Sequence, residues 1–164
     1  MTLPPAPLEP VRWWDLPEIL ALEHRLFGDD AWSEATWWGE LAQSGSRRYF
    51  IQRDPASGAV RGYAGVAVNG ADADVMTVAV APDAQGQGVG GYLLAALVDA
   101  AAESGATQLL LEVRADNVPA QRLYARTGFE RIAVRRGYYS GGVDAWILRR
   151  RPLAPRGSTT HLPR

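Results

Sequence analysis

The stretch Val75-Met76-Thr77-Val78-Ala79-Val80-Ala81-Pro82-Asp83-Ala84-Gln85-Gly86-Gln87-Gly88-Val89-Gly90-Gly91-Tyr92-Leu93-Leu94-Ala95-Ala96-Leu97 decides the fold. Val75 to Val80 reads as a strand, Pro82-Asp83 breaks it, and a glycine-dense loop follows. Leu93, Leu94, Leu97, Val98 and Ala101 then recur at helical spacing. The order is strand, phosphate-type loop, helix. Four glycines in six positions, Gly86, Gly88, Gly90 and Gly91, let the backbone approach a ligand closely and leave the N–H groups of the first helical turn free. A helix start of this kind favours a phosphate or diphosphate. Because no arginine lies between Arg61 and Arg114, local binding must come from backbone donors and the helix dipole. The competing reading is a strand-to-helix turn that needs glycine only for packing.

Upstream, residues 1–9 are proline-rich and expected to be loose, and Val11 to Trp13 is a candidate first strand. Asp15-Leu16-Pro17 reads as a helix start, with Asp15 as cap, Glu18 at the capping-box position and Gly28 as the stop. Ser33 caps a second helix bearing Trp37, Trp38 and Leu41. Trp37 and Trp38 are expected in the core, whereas Trp32, in the connection, suits a pocket wall. Arg48–Arg53 and Gly62–Val68 flank the turn Asp54-Pro55-Ala56-Ser57-Gly58. With Val75–Val80 they predict a three-stranded antiparallel meander.

Downstream, the helix is predicted to close near Gly105, and Thr107–Arg114 reads as a strand covered on both faces. Strand, helix and strand then imply a parallel pair with a right-handed crossover. Asn117 or Val118, with Pro119 just inside, starts a last helix that ends at Gly128. Glu130–Arg136 and Asp144–Arg149 form a closing hairpin through Tyr138-Tyr139-Ser140-Gly141-Gly142. The expected organisation is a loose segment 1–9, one domain over 10–150 and a loose Arg-rich tail over 151–164.

At 164 residues with a net charge of −1, the chain is one domain of ordinary size and not a strongly basic nucleic-acid module; direct nucleic-acid binding is not expected. All 17 basic residues are arginine, so P-loop and lysine Schiff-base chemistry are excluded. The chain has no cysteine, so neither a disulfide nor an acyl-cysteine intermediate can form. His24 and His161 stand far apart, and no metal site is expected. The N-terminus lacks the pattern of a signal peptide and no apolar run reaches the ~20 residues of a membrane span. The expected location is the cytoplasm, with no membrane partner.

Gly86, Gly88 and Gly91 also satisfy G-x-G-x-x-G, with Glu112 near the place of a ribose-binding acid. A dinucleotide oxidoreductase would, however, need more β-α units than the preceding meander leaves room for. The resemblance that fits is to the GNAT superfamily of N-acetyltransferases. Gln85-Gly86-Gln87-Gly88-Val89-Gly90 is similar to its Q/R-x-x-G-x-G/A loop, with Val78-Ala79-Val80 leading in. Leu111-Glu112-Val113-Arg114-Ala115-Asp116-Asn117, Leu123-Tyr124, Gly128-Phe129 and Arg135-Arg136-Gly137-Tyr138-Tyr139 resemble, within it, the bacterial enzymes that acetylate the N-terminal alanine of a small-subunit ribosomal protein.

The resemblance implies an α/β (α+β) GNAT fold: a mixed, mostly antiparallel sheet flanked by helices, its central parallel pair splayed to admit CoA. It implies direct transfer of acetyl from acetyl-CoA, as co-substrate and without a metal, to the N-terminal peptide of a ribosomal protein. Val78, Ala79, Val80, Gly86, Gln87, Gly88, Val89, Gly90, Gly91 and Asn117 would bind acetyl-CoA. Glu112 would be the base and Tyr124 the acid, and Trp32, Arg114, Tyr138 and Tyr139 would line the peptide side. Read without the resemblance, Glu112 is also a salt-bridge residue, Tyr124 a core aromatic, Asn117 a helix cap, and Tyr138 and Tyr139 hairpin packing. Gly86 and Gly91 stand where many relatives carry a basic residue, which leaves the phosphates to Arg122, Arg126 or another arginine. Other amine acceptors, such as a lysine side chain or small molecule, and non-catalytic acyl-CoA binding are the competing functions.

Overall fold

A computed structural model of the chain describes residues 5–154. In chain order it contains β1 (Leu8–Pro10), α1 (Leu16–Phe27), α2 (Glu34–Ala42), β2 (Arg47–Arg53), β3 (Val60–Asn69), β4 (Asp72–Val80), α3 (Val89–Glu103), β5 (Gln108–Arg114), α4 (Val118–Arg126), β6 (Glu130–Tyr139) and β7 (Val143–Arg150). The strands form one seven-stranded sheet in the order β1-β2-β3-β4-β5-β7-β6. The meander β2-β3-β4 is antiparallel as expected, and α3 crosses over to make β4 and β5 the parallel pair. The sheet is thus mixed and mostly antiparallel.

The chain folds this way because β3 is buried at every position from Gly62 to Ala67, which alternation allows only if both sheet faces are covered. Gly62 faces α3, since a Cβ there would stand 3.0 Å from Leu93 Cδ1 and 2.6 Å from the Ala79 carbonyl. Tyr63 faces the other way, and its hydroxyl donates to Glu23 of α1 at 2.8 Å. Beneath α1 and α2, Trp37 is fully buried, with Trp32, Tyr49 and Tyr63 at centroid distances of 5.2, 5.2 and 5.5 Å. Cross-strand register carries the same alternation to β5. Ala67, Asp74 and Leu110 are in one row, so Leu110 and Glu112 share the α1/α2 face.

Between β4 and β5 the ladder is short. It joins Asp72 to Gln108, Ala73 to Leu109 and Asp74 to Leu110. Val66 then faces Val75 while Gly65 faces Thr77, so Met76 is the extra residue of a bulge. A bulge bends its strand and interrupts pairing. From Val75 to Val80, β4 therefore stays with β3 and parts from β5, which is the splay that the resemblance implied.

Several sequence expectations need correction. The first strand is Leu8–Pro10, paired with Gln52, Ile51 and Phe50; the sheet thus takes in Leu8 and Glu9, Val11 adds only its N–H bond to the Tyr49 carbonyl at 3.0 Å, and Trp13 lies beyond the strand. Asp15 does not cap α1; its Oδ2 accepts the Arg12 N–H at 2.7 Å and its Oδ1 accepts Arg53 Nη2 at 2.6 Å. Glu18 likewise turns to Arg53, at 2.9 Å. A distant guanidinium outcompetes a local N–H because the hydrogen bond is then charge-assisted on both sides. Trp38 is not core: it is 47% exposed and its indole N–H donates to Glu34 one turn back, at 3.3 Å. Nor is β5 covered on both faces, since Leu109, Leu111 and Val113 are buried and Glu112 between them is exposed. Tyr138 and Tyr139 are the last residues of β6, and only Ser140–Gly142 makes the turn.

Ser33 does cap α2: its Oγ accepts the Thr36 N–H at 3.1 Å. Ser33→Ala is expected to lower stability by about 1 kcal/mol, read as an earlier urea midpoint with an unchanged slope. Of the tail, Arg151–Ala154 follows β7, and the Leu153 N–H donates to Thr107 O at 3.1 Å. Arg156 and Arg164, which belonged to the expected Arg-rich tail, lie outside the described residues, as does His161.

Candidate active site

The glycine loop begins with a short turn at Pro82–Ala84 and reaches α3 through Gly86 (φ 75°) and Gly88 (φ 82°). Both are left-handed, and a Cβ on either would meet no atom within 4 Å. Backbone conformation, not crowding, asks for glycine there. Gly90 differs, because its Cβ would come within 3.0 Å of Leu123 Cδ2; it lets α4 pack against α3. Gly91 is also beside Leu123. The packing reading therefore holds for Gly90, while Gly86 and Gly88 shape a cradle that ends in the free N–H groups of Val89, Gly90 and Gly91.

Side chains brace this cradle. Gln87 donates to the Asp83 carbonyl at 2.8 Å and accepts from Arg61 Nη2 at 2.6 Å. Gln85 donates to the Val80 carbonyl at 3.2 Å. Val78, Ala79 and Val80 run alongside on the splayed part of β4, paired with Ala64, Tyr63 and Gly62 on the β3 side. A row of open N–H groups at a helix start, next to a gap between two strands, fits a diphosphate with an extended arm. Asn117 caps α4, its Oδ1 accepting the Ala120 N–H at 3.2 Å.

Across the gap, Glu112 projects from β5 to the α1/α2 face and pairs with Arg135 Nη1 of β6 at 2.8 Å. Tyr138 lies against the same carboxylate, and interaction with Glu112, ahead of burial, pushes its hydroxyl up from the ordinary tyrosine value. Tyr139, pushed up to about 12 by burial and then by the Glu112 charge, is close enough to that carboxylate to feel it. Tyr124 of α4 feels Tyr139 in turn. Its ring is edge-on to Phe129 at 5.8 Å, and its hydroxyl is held up by burial and then by Tyr139. Gln121 sets the pose of α4 by donating to the carbonyls of Arg114 and Ala115, both at 3.0 Å. Tyr124, one turn on, shares that face. Glu112 thus neighbours Tyr138 and Tyr139, and Tyr139 neighbours Tyr124; a carboxylate and a phenol can move two different protons.

The α1–α2 connection is anchored from the core side. Glu23 is almost fully buried; burial pushes its carboxyl up, while its bonds to the Trp32 N–H and Tyr63 oppose that shift. The Trp32 N–H donates to Glu23 Oε2 at 3.0 Å. Trp32 is therefore fixed at its backbone, and its ring turns inward onto Trp37 and Tyr49. Arg114 is committed to acids. Nη1 meets Asp30 at 2.6 Å, Nε and Nη2 meet Asp116 at 3.0 and 3.1 Å, and the guanidinium lies 5.3 Å from the centre of the Tyr139 ring.

Sequence reading missed three residues here. Arg61 is the cation bound to the glycine loop, whereas Arg122 and Arg126 are exposed on α4; it lies 26 residues upstream of its partner, so no local pattern marks it. Asp30 and Gln121 carry no motif either. A glutamine one turn ahead of the motif tyrosine was the only available hint.

Comparisons with known proteins agree with this architecture. The N-alpha-acetyltransferase RimI of Mycobacterium tuberculosis is 40% identical over 142 residues, 83% of this chain and 86% of that protein. The ribosomal protein bS18-alanine N-acetyltransferase of Escherichia coli (strain K12) is 36% identical over 137 residues, 82% and 89% of the two chains. The crystal structure of the Escherichia coli ribosomal-protein-S18-alanine N-acetyltransferase superposes with a TM-score of 0.80 at 31% identity, covering 95% of this chain and 99% of that one. The profile of the acetyltransferase (GNAT) family, whose enzymes draw on acetyl-CoA, matches residues 12–129. With a splayed parallel pair, a left-handed glycine cradle and matches over most of its length, this chain belongs to the GNAT acetyltransferase family.

Proposed function

We propose that the protein transfers acetyl from acetyl-CoA to the α-amine of a protein N-terminus, and that its acceptor is the N-terminal alanine of a small-subunit ribosomal protein. The observation that carries this reading is the parting of β4 from β5 beyond Asp74, beside the open N–H groups at the start of α3. Similarity to the two acetyltransferases named above supplies the acceptor. When bound, acetyl-CoA offers a thioester carbonyl carbon that the amine attacks, so that a C–N bond forms, the C–S bond breaks and a thiolate leaves.

The chain's own groups handle the protons. An α-ammonium has a pKa of about 7.7–8.0, so a carboxylate acting directly or through one water makes the amine available. Glu112 takes that proton and releases it to solvent. Tyr124 gives its hydroxyl proton to the leaving sulfur and recovers one from the newly acylated nitrogen, for a net release of one proton. Main-chain N–H groups of Val78 or Val80 polarise the carbonyl oxygen, and those of Gly86–Gly91 hold the diphosphate. Trp32, Tyr138 and Tyr139 border the acceptor.

The test is acetyl-CoA turnover on an alanine-starting peptide beside a panel of lysine side chains, polyamines and other small amines, with Tyr124→Phe as a second arm. Preference for the peptide and a loss of about a hundredfold in Tyr124→Phe are expected. Preference for a small amine would overturn the acceptor, and an unchanged Tyr124→Phe would overturn the role of the tyrosine. Thermal shift by CoA but not by a nicotinamide dinucleotide is also expected.

Arg61 adds a further expectation. Its guanidinium is bound to Gln87 within the cradle and is available to a phosphate. Arg61→Ala is expected to raise the KM for acetyl-CoA about tenfold, the worth of one charged hydrogen bond of about 1.5 kcal/mol. The peptide KM should stay put; a rise in peptide KM alone would count against this placement.

A further inference from the structure

We propose that Asp30 is a positioning residue for the acceptor: its carboxylate latches the α1–α2 connection to the end of β5 and to the β6–β7 turn, so that an incoming N-terminus meets walls already in place. This rests on the reading of the protein as an N-terminal acetyltransferase.

Each oxygen of Asp30 serves a different segment. Oδ2 accepts Arg114 Nη1 at 2.6 Å. Oδ1 accepts Ser140 Oγ at 2.8 Å and the Ser140 N–H at 3.4 Å. The partners are 84 and 110 residues away in sequence. Ser140, first, and then Arg114 hold the Asp30 carboxyl below the usual range, so the latch stays charged to lower pH than an ordinary aspartate would. Arg114 passes the contact on, since its guanidinium lies over the Tyr139 ring at 5.3 Å from its centre, and Tyr139 in turn feels the Glu112 charge.

Both latched segments need such a tie. The α1–α2 connection leaves α1 through Gly28 at φ 52°, and the β6–β7 turn contains Gly141 and Gly142 at φ 77° and 75°. Glycine backbones lose the most freedom on ordering, so without a crosslink these segments would sample many arrangements. The latch itself is solvent-reachable, with Arg114 and Asp30 side chains 30% and 25% exposed. Exposed ion pairs contribute little to global stability, so removing this one should loosen the acceptor side and leave the fold intact.

The chemistry of the carboxylate gives a discriminating variant. Asp30→Asn keeps an oxygen for Ser140 but turns an NH2 towards Arg114, breaking one arm; Ser140→Ala removes the 2.8 Å hydroxyl bond of the other and leaves only the 3.4 Å N–H. In steady-state kinetics we expect each to raise the KM for an alanine-starting peptide, by about tenfold for Asp30→Asn, because misplaced binding walls cost orientation. The KM for acetyl-CoA should remain within about twofold and the melting temperature within about 2 °C. Amide hydrogen exchange over residues 28–32 and 138–142 should quicken in Asp30→Asn with no acceptor present. Unchanged peptide KM with unchanged exchange would overturn the latch, as would a general loss in which melting temperature, kcat and both KM values worsen together. If the wild-type protein acetylated no amine at all, the transferase reading would fail, and the exchange measurement alone would decide whether the latch exists.

Discussion

Replacing Glu112 with glutamine will lower acetyl transfer by about a hundredfold or more while leaving the fold intact. A positioned general base contributes roughly 10²–10⁴ in rate, and glutamine has no proton-accepting carboxylate to offer in its place. The substitution is isosteric, and its amide oxygen can still accept from Arg135, the 2.8 Å partner of Glu112. Since Glu112 and Arg135 side chains are 33% and 54% exposed, losing the ion pair should change stability by no more than about 1 kcal/mol. The defect is expected in kcat, with the KM for acetyl-CoA little changed, because Glu112 lies across the gap from the glycine cradle. Turnover at wild-type level would reduce Glu112 to a salt-bridge residue and with it the proposed proton path.

Gly65→Ala will destabilise the protein by about 3 kcal/mol, the upper part of the usual range for overpacking. The Tyr49 ring lies flat on Gly65, and a Cβ there would be built into it, 2.7 Å from Cζ and closer still to Cε1 and Cδ1. The ring cannot step aside. Its hydroxyl donates to Glu40 at 2.7 Å, and Trp37 and Trp32 stand against it at 5.2 and 6.4 Å. For a domain of this size the loss corresponds to a melting temperature lower by roughly 10 °C. Gly39→Ala is the matching control: Gly39 is inside α2 with nothing within 4 Å of its Cβ position. Helix propensity alone should make that variant neutral or more stable by up to about 1 kcal/mol. Equal melting temperatures for the two variants would show that Tyr49 can repack.

This second effect reaches the candidate site through packing. Tyr49 supports Trp32, whose N–H is held by Glu23, and Trp32 is two residues from Asp30. A shift at Gly65 is thus transmitted by packed rings to Trp32, which the proposed function sets beside the acceptor. The glycine cradle, built on the opposite side of the splay, is expected to keep its affinity for acetyl-CoA in any Gly65→Ala protein that remains folded.

Much of this was legible because its causes are local. The Val75–Leu97 stretch announces strand, break and helix by period alone, Ser33 and Gly28 mark helix ends by chemistry confined to one turn, and turn residues punctuate the meander. Glu112 stood out as an acid within an apolar run. The errors also share a cause. Asp15 has a good local cap pattern but a better partner in Arg53, 38 residues on, and Trp38 follows Trp37 with the same composition yet points to solvent.

The sequence by itself determined the order of elements, the crossover that makes β4 and β5 parallel, and the glycine backbone at the start of α3, since each follows from local periods and breaks read in chain order. Only tertiary structure decided that β4 leaves β5 after Asp74, that Gly90 serves α4 packing, that Arg61 reaches the loop and that Asp30 joins three distant segments. Those outcomes depend on which side chains meet across the sheet. A charged or apolar group chooses its partner by distance and burial in the folded chain, and neither is encoded in sequence spacing.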